Sequence, residues 1–101
     1  MMKSKSQKVF KIVSRIPKGK VISYSLLAKL SGVKNPRVVG NILHKNDDPK
    51  NIPCHRVVHK DGSIAQNYAF GGKDVQKEIL ESENVPFIHD KVDMAKAEIR
   101  I

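Results

Sequence analysis

The stretch SLLAKLSGVKNPRVVGNILHKN, residues 25–46, closes one short helix and opens another within a few residues, and any fold of this chain has to seat that pair. Leu26, Leu27 and Leu30 give the first helix an inward face, and Gly32 is its C-terminal stop. Asn35 stands where an N-cap belongs, with Pro36 at the first helical position of the next helix. Two short helices joined by a glycine-containing turn form the helix-turn-helix pattern, whose second helix enters a DNA groove, although antiparallel helix pairs also recur in α-rich domains of every kind. Gly40 sits in the middle of the second helix. Glycine costs about 1 kcal/mol there relative to alanine, so a close approach is expected, either of another helix or of a nucleic-acid backbone.

Charge bears on which of these applies. Nineteen Lys and Arg against ten Asp and Glu leave a formal net charge of +9 on 101 residues, which points to a polyanionic partner, nucleic acid first. The bland alternative is a well-solvated surface, since the lysines are scattered. A membrane-surface role would need a basic amphipathic helix with bulky anchors to spare. No apolar run reaches spanning length, and the basic start MMKSKSQKVF lacks the apolar stretch of a secretory signal. The expectation is a single-domain, cytoplasmic, monomeric protein, nucleoid-associated through DNA, with no membrane partner. Its one cysteine, Cys54, cannot form an internal disulfide. The histidines at 44, 55, 59 and 89 lack a recognisable metal-ligand spacing, so neither metal nor cofactor is expected.

Around the helix pair, Val9, Ile12, Val13 and Ile16 mark an earlier helix with Ser6 as cap and Pro17 and Gly19 as stop. KVISY reads as a short strand, NDDPKN as turn, and IPCHRVVHKDGSI as extended segments joined in a hairpin at Lys60-Asp61-Gly62. NYAFGG is a loop. KDVQKEILESE is a last helix with Val75, Ile79 and Leu80 apolar and Asp74 near its N-terminus. The core is expected over about 7–88, with the tail 89–101 irregular.

A free cysteine is most often a small buried hydrophobe. Here His55, Arg56 and His59 stand close in sequence and favour a thiolate, the nucleophilic form, so a cysteine hydrolase is one reading. In an extended segment, however, Cys54 and His55 point to opposite sides, and a direct nucleophile–base pair would need a bridging water or a non-extended backbone.

IPCHRVV, residues 52–58, resembles the active-site motif of the O6-alkylguanine-DNA alkyltransferases, repair proteins that take an alkyl group from guanine onto their own cysteine. The likeness extends through GKVISYSLLAKLSG, NPRVVGNILHKN, NYAFGG and the helix ending at Glu83, in the family's order. It implies a mainly α, winged helix-turn-helix domain with a short β wing, standing alone, and double-stranded DNA containing O6-alkylguanine as partner. By the resemblance, Cys54 is the alkyl acceptor, His55 its base through a water, Glu83 the group that orients His55, and Tyr24 a hydrogen-bond donor to the departing base. Asn46 organises the loop before the cysteine. Arg37 fills the hole left by the flipped base, where a plain reading makes it a phosphate contact or a solvated residue. Gly40 permits close approach to the minor groove, and Asn41, Lys45, Arg56 and Tyr24 join them as DNA contacts.

Two connections depart from the pattern: NYAFGG is a residue longer than the family's usual Asn-Tyr-x-Gly-Gly, and SGVKNP is a residue longer than in some members. The short chain and its KVDM tail are similar to the alkyltransferase-like proteins, which bind lesions without repairing them and carry tryptophan where this chain has Cys54. The cysteine favours the enzyme. A lesion-sensing protein without catalysis and a winged-helix regulator that reads DNA sequence are the two rival readings.

Overall fold

The computed structural model describes residues 4–48, 50–64 and 72–99. Its first helix, α1 (Lys5–Ser14), is capped by Ser4 and not by Ser6. Ser4 Oγ accepts from Gln7 N at 3.1 Å, and Gln7 Oε1 accepts from Ser4 N at 3.1 Å. The cap lies at Ser4 because only there does a glutamine follow three residues on to close the reciprocal box; Ser6 has Val9 in that place. Val9, Val13 and, just beyond the helix, Ile16 are buried.

Strand β1 (Ile22–Ser23) runs directly into α2 (Tyr24–Ser31), whose N-cap is Ser23, with its hydroxyl accepting from Leu26 N at 3.1 Å. Gly32 ends the helix with φ 75°. The inward stripe is Leu27, Ala28 and Ser31, whereas Leu30 stays 38% exposed. The start at Tyr24 sets this phase: Ser31, one turn after Leu27, takes the buried place and satisfies its hydroxyl on the Leu27 carbonyl at 2.6 Å. Asn35 and Pro36 open α3 (Pro36–His44) as the sequence requires, with Asn35 Oδ1 accepting from Val38 N at 3.2 Å. Val39 and Leu43 bury one face of α3, and α2 packs against both α1 and α3.

The motif segment is not extended throughout. Cys54–Arg56 forms a single 3-10 turn, followed by β2 (Val57–Val58). β2 pairs in parallel with β1, Ile22 opposite Val57 and Ser23 opposite Val58. Parallel strands need a long crossover, and the helix pair supplies it. The turn at Lys60-Asp61-Gly62 does form, closed by Gly62 N on the His59 carbonyl at 2.9 Å. His59 N also donates to the Ser63 carbonyl at 3.0 Å, so the chain reverses beside the end of β2, whose paired strand among the described residues is β1.

Helix α4 (Gly72–Ser82) follows; of the expected loop NYAFGG, residues 67–71 lie outside the described residues. Its buried residues include Leu80 and Gln76. The tail is structured. β3 (Phe87–Ile88) and β4 (Lys91–Val92) form an antiparallel hairpin, and α5 (Met94–Ala97) leads Glu98 into a parallel bridge with Val21. Val92 and Ala97 join Val21, Val58, Ile64, Leu80 and Val85 in a second core cluster beside the helical one. The pieces are two to four residues long, too short for any periodicity to mark them in the sequence. The domain is thus mainly helical, a helix-turn-helix with a small β wing. No helix among the described residues is long and apolar enough to cross a membrane.

Gly62 joins the two halves of this second cluster. Its φ is 90°, its carbonyl accepts from Val92 N at 2.9 Å, and a Cβ there would collide with the Val92 backbone. Gly62→Ala combines left-handed strain with a backbone clash, and a loss on the order of 3 kcal/mol is expected in urea unfolding. An unchanged midpoint would mean that the wing is not fixed by this contact.

Candidate active site

Four elements build the site around Cys54. The 3-10 turn carries Cys54, His55 and Arg56; the end of α3 supplies Asn46; the start of α2 supplies Tyr24; and Glu83 lies just past the end of α4. Cys54, His55, Asn46 and Glu83 are all buried. The segment is thus not extended at Cys54 and His55, and the strict alternation of side chains assumed for it does not apply there.

Glu83 is the hub. Its carboxylate lies 3.1 and 3.0 Å from His55 Nε2 through Oε1 and Oε2. Arg56 clamps the same carboxylate from Nε at 2.9 Å and Nη2 at 2.7 Å, while its Nη1 donates to the Ile16 carbonyl at 2.7 Å. A carboxylate only accepts, so Nε2 carries the hydrogen and Nδ1 keeps its lone pair. Burial lowers the His55 pKa from its ordinary 6.5, and the charge and hydrogen bonds of Glu83 oppose that without reversing it. The imidazole is therefore neutral at pH 7, with one nitrogen ready to take a proton. For Glu83, burial pulls upward, but the Arg56 hydrogen bonds and the His55 contacts prevail and hold its carboxyl below the ordinary 4.5.

The thiol is not the resting thiolate that the neighbouring basic residues led us to expect. Burial pushes Cys54 up from its ordinary 9.0, only partly offset by hydrogen bonds from Asn46 and from its own backbone. Arg56 is already neutralised by Glu83, and the buried His55 is uncharged, so neither pays the desolvation of a sulfur anion. Asn46 fixes the approach to the thiol: Nδ2 donates to the Ile52 carbonyl at 2.9 Å and Oδ1 accepts from Asp48 N at 2.9 Å. Tyr24 is half-buried, and burial, followed by the proximity of Cys54, pushes its pKa up to about 12. Its hydroxyl keeps its hydrogen at any physiological pH.

The residues expected to meet DNA fall in two places. Arg37, Asn41 and Lys45 succeed one another at i, i+4 and i+8 along α3 and are all exposed, opposite its buried Val39 and Leu43. Gly40 lies among them with open space where its Cβ would be, so no neighbouring helix accounts for it. Arg56 is elsewhere. Its guanidinium faces inward on Glu83 and Ile16, which leaves it a structural clamp and not a member of the exposed stripe.

Gln76 was missed in the sequence. Only 1% exposed, it donates from Nε2 to the carbonyls of His55 at 2.9 Å and Val57 at 3.1 Å, gripping the 3-10 turn on both sides of Arg56. The signal was available: a polar residue three and four places before Ile79 and Leu80 sits on the apolar face of α4. Its Oε1 has no hydrogen-bond partner among the described residues.

A helix-turn-helix with an exposed stripe carrying Arg37 and Lys45, and a buried thiol close in sequence to a buried imidazole–carboxylate pair, define a DNA-binding domain with a buried cysteine. Residues 4–85 match the family described as 6-O-methylguanine DNA methyltransferase, DNA binding domain, and the chain belongs to that family. It is 40% identical over 81 residues to the methylated-DNA–protein-cysteine methyltransferase of Rattus norvegicus, covering 79% of this chain and 38% of that protein. The protein of the same name from Saccharolobus islandicus is 44% identical over 77 residues, 76% of this chain and 48% of that one. The chain thus spans less than half the length of these relatives. Among solved structures, S. pombe Atl1 in complex with damaged DNA containing O6-carboxymethylguanine aligns over 99% of this chain and 100% of its own, with TM-score 0.84 and 27% identity. Mycobacterium tuberculosis OGT in complex with DNA aligns over 83% and 51%, with TM-score 0.73 and 30% identity.

Proposed function

We propose that this chain binds double-stranded DNA containing O6-alkylguanine, extrudes the base, and transfers the alkyl group irreversibly to Cys54. The observation that carries the reading is the buried thiol followed in the chain by a neutral imidazole whose Nε2 is held by a buried carboxylate. His55 takes the thiol proton through a water, and the resulting imidazolium is stabilised by Glu83. The sulfur lone pair forms a bond to the alkyl carbon as the carbon–O6 bond breaks, and that electron pair leaves with guanine. Tyr24 donates a hydrogen bond to the base as it gains negative charge. Asn46 and Gln76 hold the loop and the turn, and Arg56 locks Glu83. No step returns the thioether to a thiol, so each molecule acts once.

Intact-protein mass after incubation with an O6-methylguanine duplex tests this directly. The expected product is one methyl adduct per protein, on the peptide carrying Cys54, in molar proportion to lesion. The second reading is lesion binding without transfer, and the full-length match to Atl1 bound to damaged DNA is the observation on its side. It predicts a stable complex and no change of mass.

The stripe on α3 makes a further expectation specific. If Arg37 replaces the extruded base in the stack, Arg37→Ala slows transfer on paired DNA by about tenfold or more and much less on mismatched or single-stranded lesions, where unstacking a base costs little. A phosphate contact would instead weaken binding to every DNA and reduce the salt slope by about one contact. Single-turnover rates at saturating protein on the three substrates separate these, and an equal loss on all three removes Arg37 from base flipping.

A further inference from the structure

His59 is exposed at the end of β2, outside the Cys54–His55–Glu83 network, and its imidazole lies against the Tyr24 ring. The centroids are 5.2 Å apart and the planes tilted by 41°. The register of the parallel pair creates this meeting. Ser23 lies opposite Val58, so the next residues on each strand, Tyr24 and His59, emerge side by side. His59 is also fixed through its backbone, its N–H donating to the Ser63 carbonyl at 3.0 Å and its carbonyl accepting from Gly62 N at 2.9 Å.

We propose that His59, when protonated, is a positioning group for alkyl transfer: its imidazolium faces the Tyr24 ring and strengthens the Tyr24 hydroxyl as donor to the departing base. The inference rests on the alkyltransferase reading above. A cation against an aromatic ring draws electron density from it and sharpens the polarity of an attached hydroxyl. Tyr24 has need of such help, since burial keeps its hydrogen tightly held. The effect runs opposite to that of His55. His55 must be neutral to accept the thiol proton, so its contribution is lost as pH falls, whereas that of His59 grows.

The charged surroundings leave His59 free to act on Tyr24. Among the described residues, Cys54, from the 3-10 turn, is the titratable group whose charge acts on Tyr24, and it rests as a thiol. His55 is turned to Glu83. Lys60 and Asp61 follow His59 in the turn. The Asp61 carboxylate accepts from Ser63 at 2.7 Å and from Lys91 of the wing at 3.2 Å, and those contacts hold its carboxyl far below the usual range.

His59→Phe keeps a ring against Tyr24 and removes the charge, and His59→Gln serves as a second variant free of the added apolar surface. Single-turnover methyl transfer is measured for both between about pH 5 and pH 8. The expected wild-type to variant ratio is about two- to fivefold at the acid end, falling to about one at the alkaline end. A ratio that does not change with pH overturns the proposal. In DNA-free protein, the isotope-labelled Cζ resonance of Tyr24, assigned by its loss in Tyr24→Phe, should show an inflection over the same interval that disappears in both His59 variants. A wild-type resonance without that inflection also overturns it. If the wild type transfers no methyl group to any duplex, the parent reading fails, and the resonance still decides whether His59 acts on Tyr24.

Discussion

Incubated with an O6-methylguanine duplex, Cys54→Ser is expected to gain no methyl mass while retaining its affinity for the lesion. The substitution removes the sulfur and leaves the exposed stripe of α3, the wing and the neighbouring Asn46 and His55 in place. A serine hydroxyl is a far weaker acid and a harder nucleophile than a thiol, and one neutral imidazole cannot activate it for displacement at carbon. The rate should drop on the order of a thousandfold or more. Mass spectrometry reads the chemistry and fluorescence anisotropy the binding. Transfer persisting in this variant would place the acceptor elsewhere and end the assignment of Cys54. In the wild type the rate should rise with pH. The thiol pKa is raised by burial, so the thiolate fraction is still climbing above neutrality, and protonation of His55 removes its base as pH falls.

Glu83→Ala should have the second largest effect, and on stability as much as on rate. It leaves the Arg56 guanidinium, only 15% exposed, without its bidentate partner, and the His55 Nε2 hydrogen without an acceptor. Breaking a buried ion pair from one side costs about 3–5 kcal/mol, a large share of the roughly 5–15 kcal/mol that holds a domain of this size together. Urea unfolding should show that loss. Glu83→Gln keeps the volume and much of the hydrogen bonding, so it should fold, yet alkyl transfer should slow by about ten- to a hundredfold, because no anion stabilises the imidazolium. Equal rates for Glu83→Gln and wild type would reduce Glu83 to a structural role. The same network sets the acid limb of stability. His55 and Glu83 both have lowered pKa values in the fold, so each binds fewer protons folded than unfolded. Their contributions are complete above the unfolded values. The His55 part is lost first, as pH falls below about 6.5, and the Glu83 part below about 4.5, each continuing down through its folded value.

Local chemistry set much of this in advance. Asn35 and Pro36 opened α3 and Gly32 closed α2, because caps and stops act within a few residues and need no tertiary partner. Val9, Val13 and Ile16 marked the buried side of α1, and the apolar positions Val39 and Leu43 left Arg37, Asn41 and Lys45 on the open side of α3. The motif around Cys54 was legible as a motif. What it could not reveal was the state of its groups. The basic neighbours of Cys54 read as thiolate-forming until the fold turned Arg56 onto Glu83 and buried the sulfur, and ionisation is decided by burial and partners that lie far apart in the chain. The ordered tail, the pairing of β2 with β1, the grip of Gln76 and the tilted contact of His59 with Tyr24 were decided only in three dimensions. Each depends on a partner more than eighteen residues away, joined by strands of two residues or by single side chains, and such contacts leave no period in a sequence.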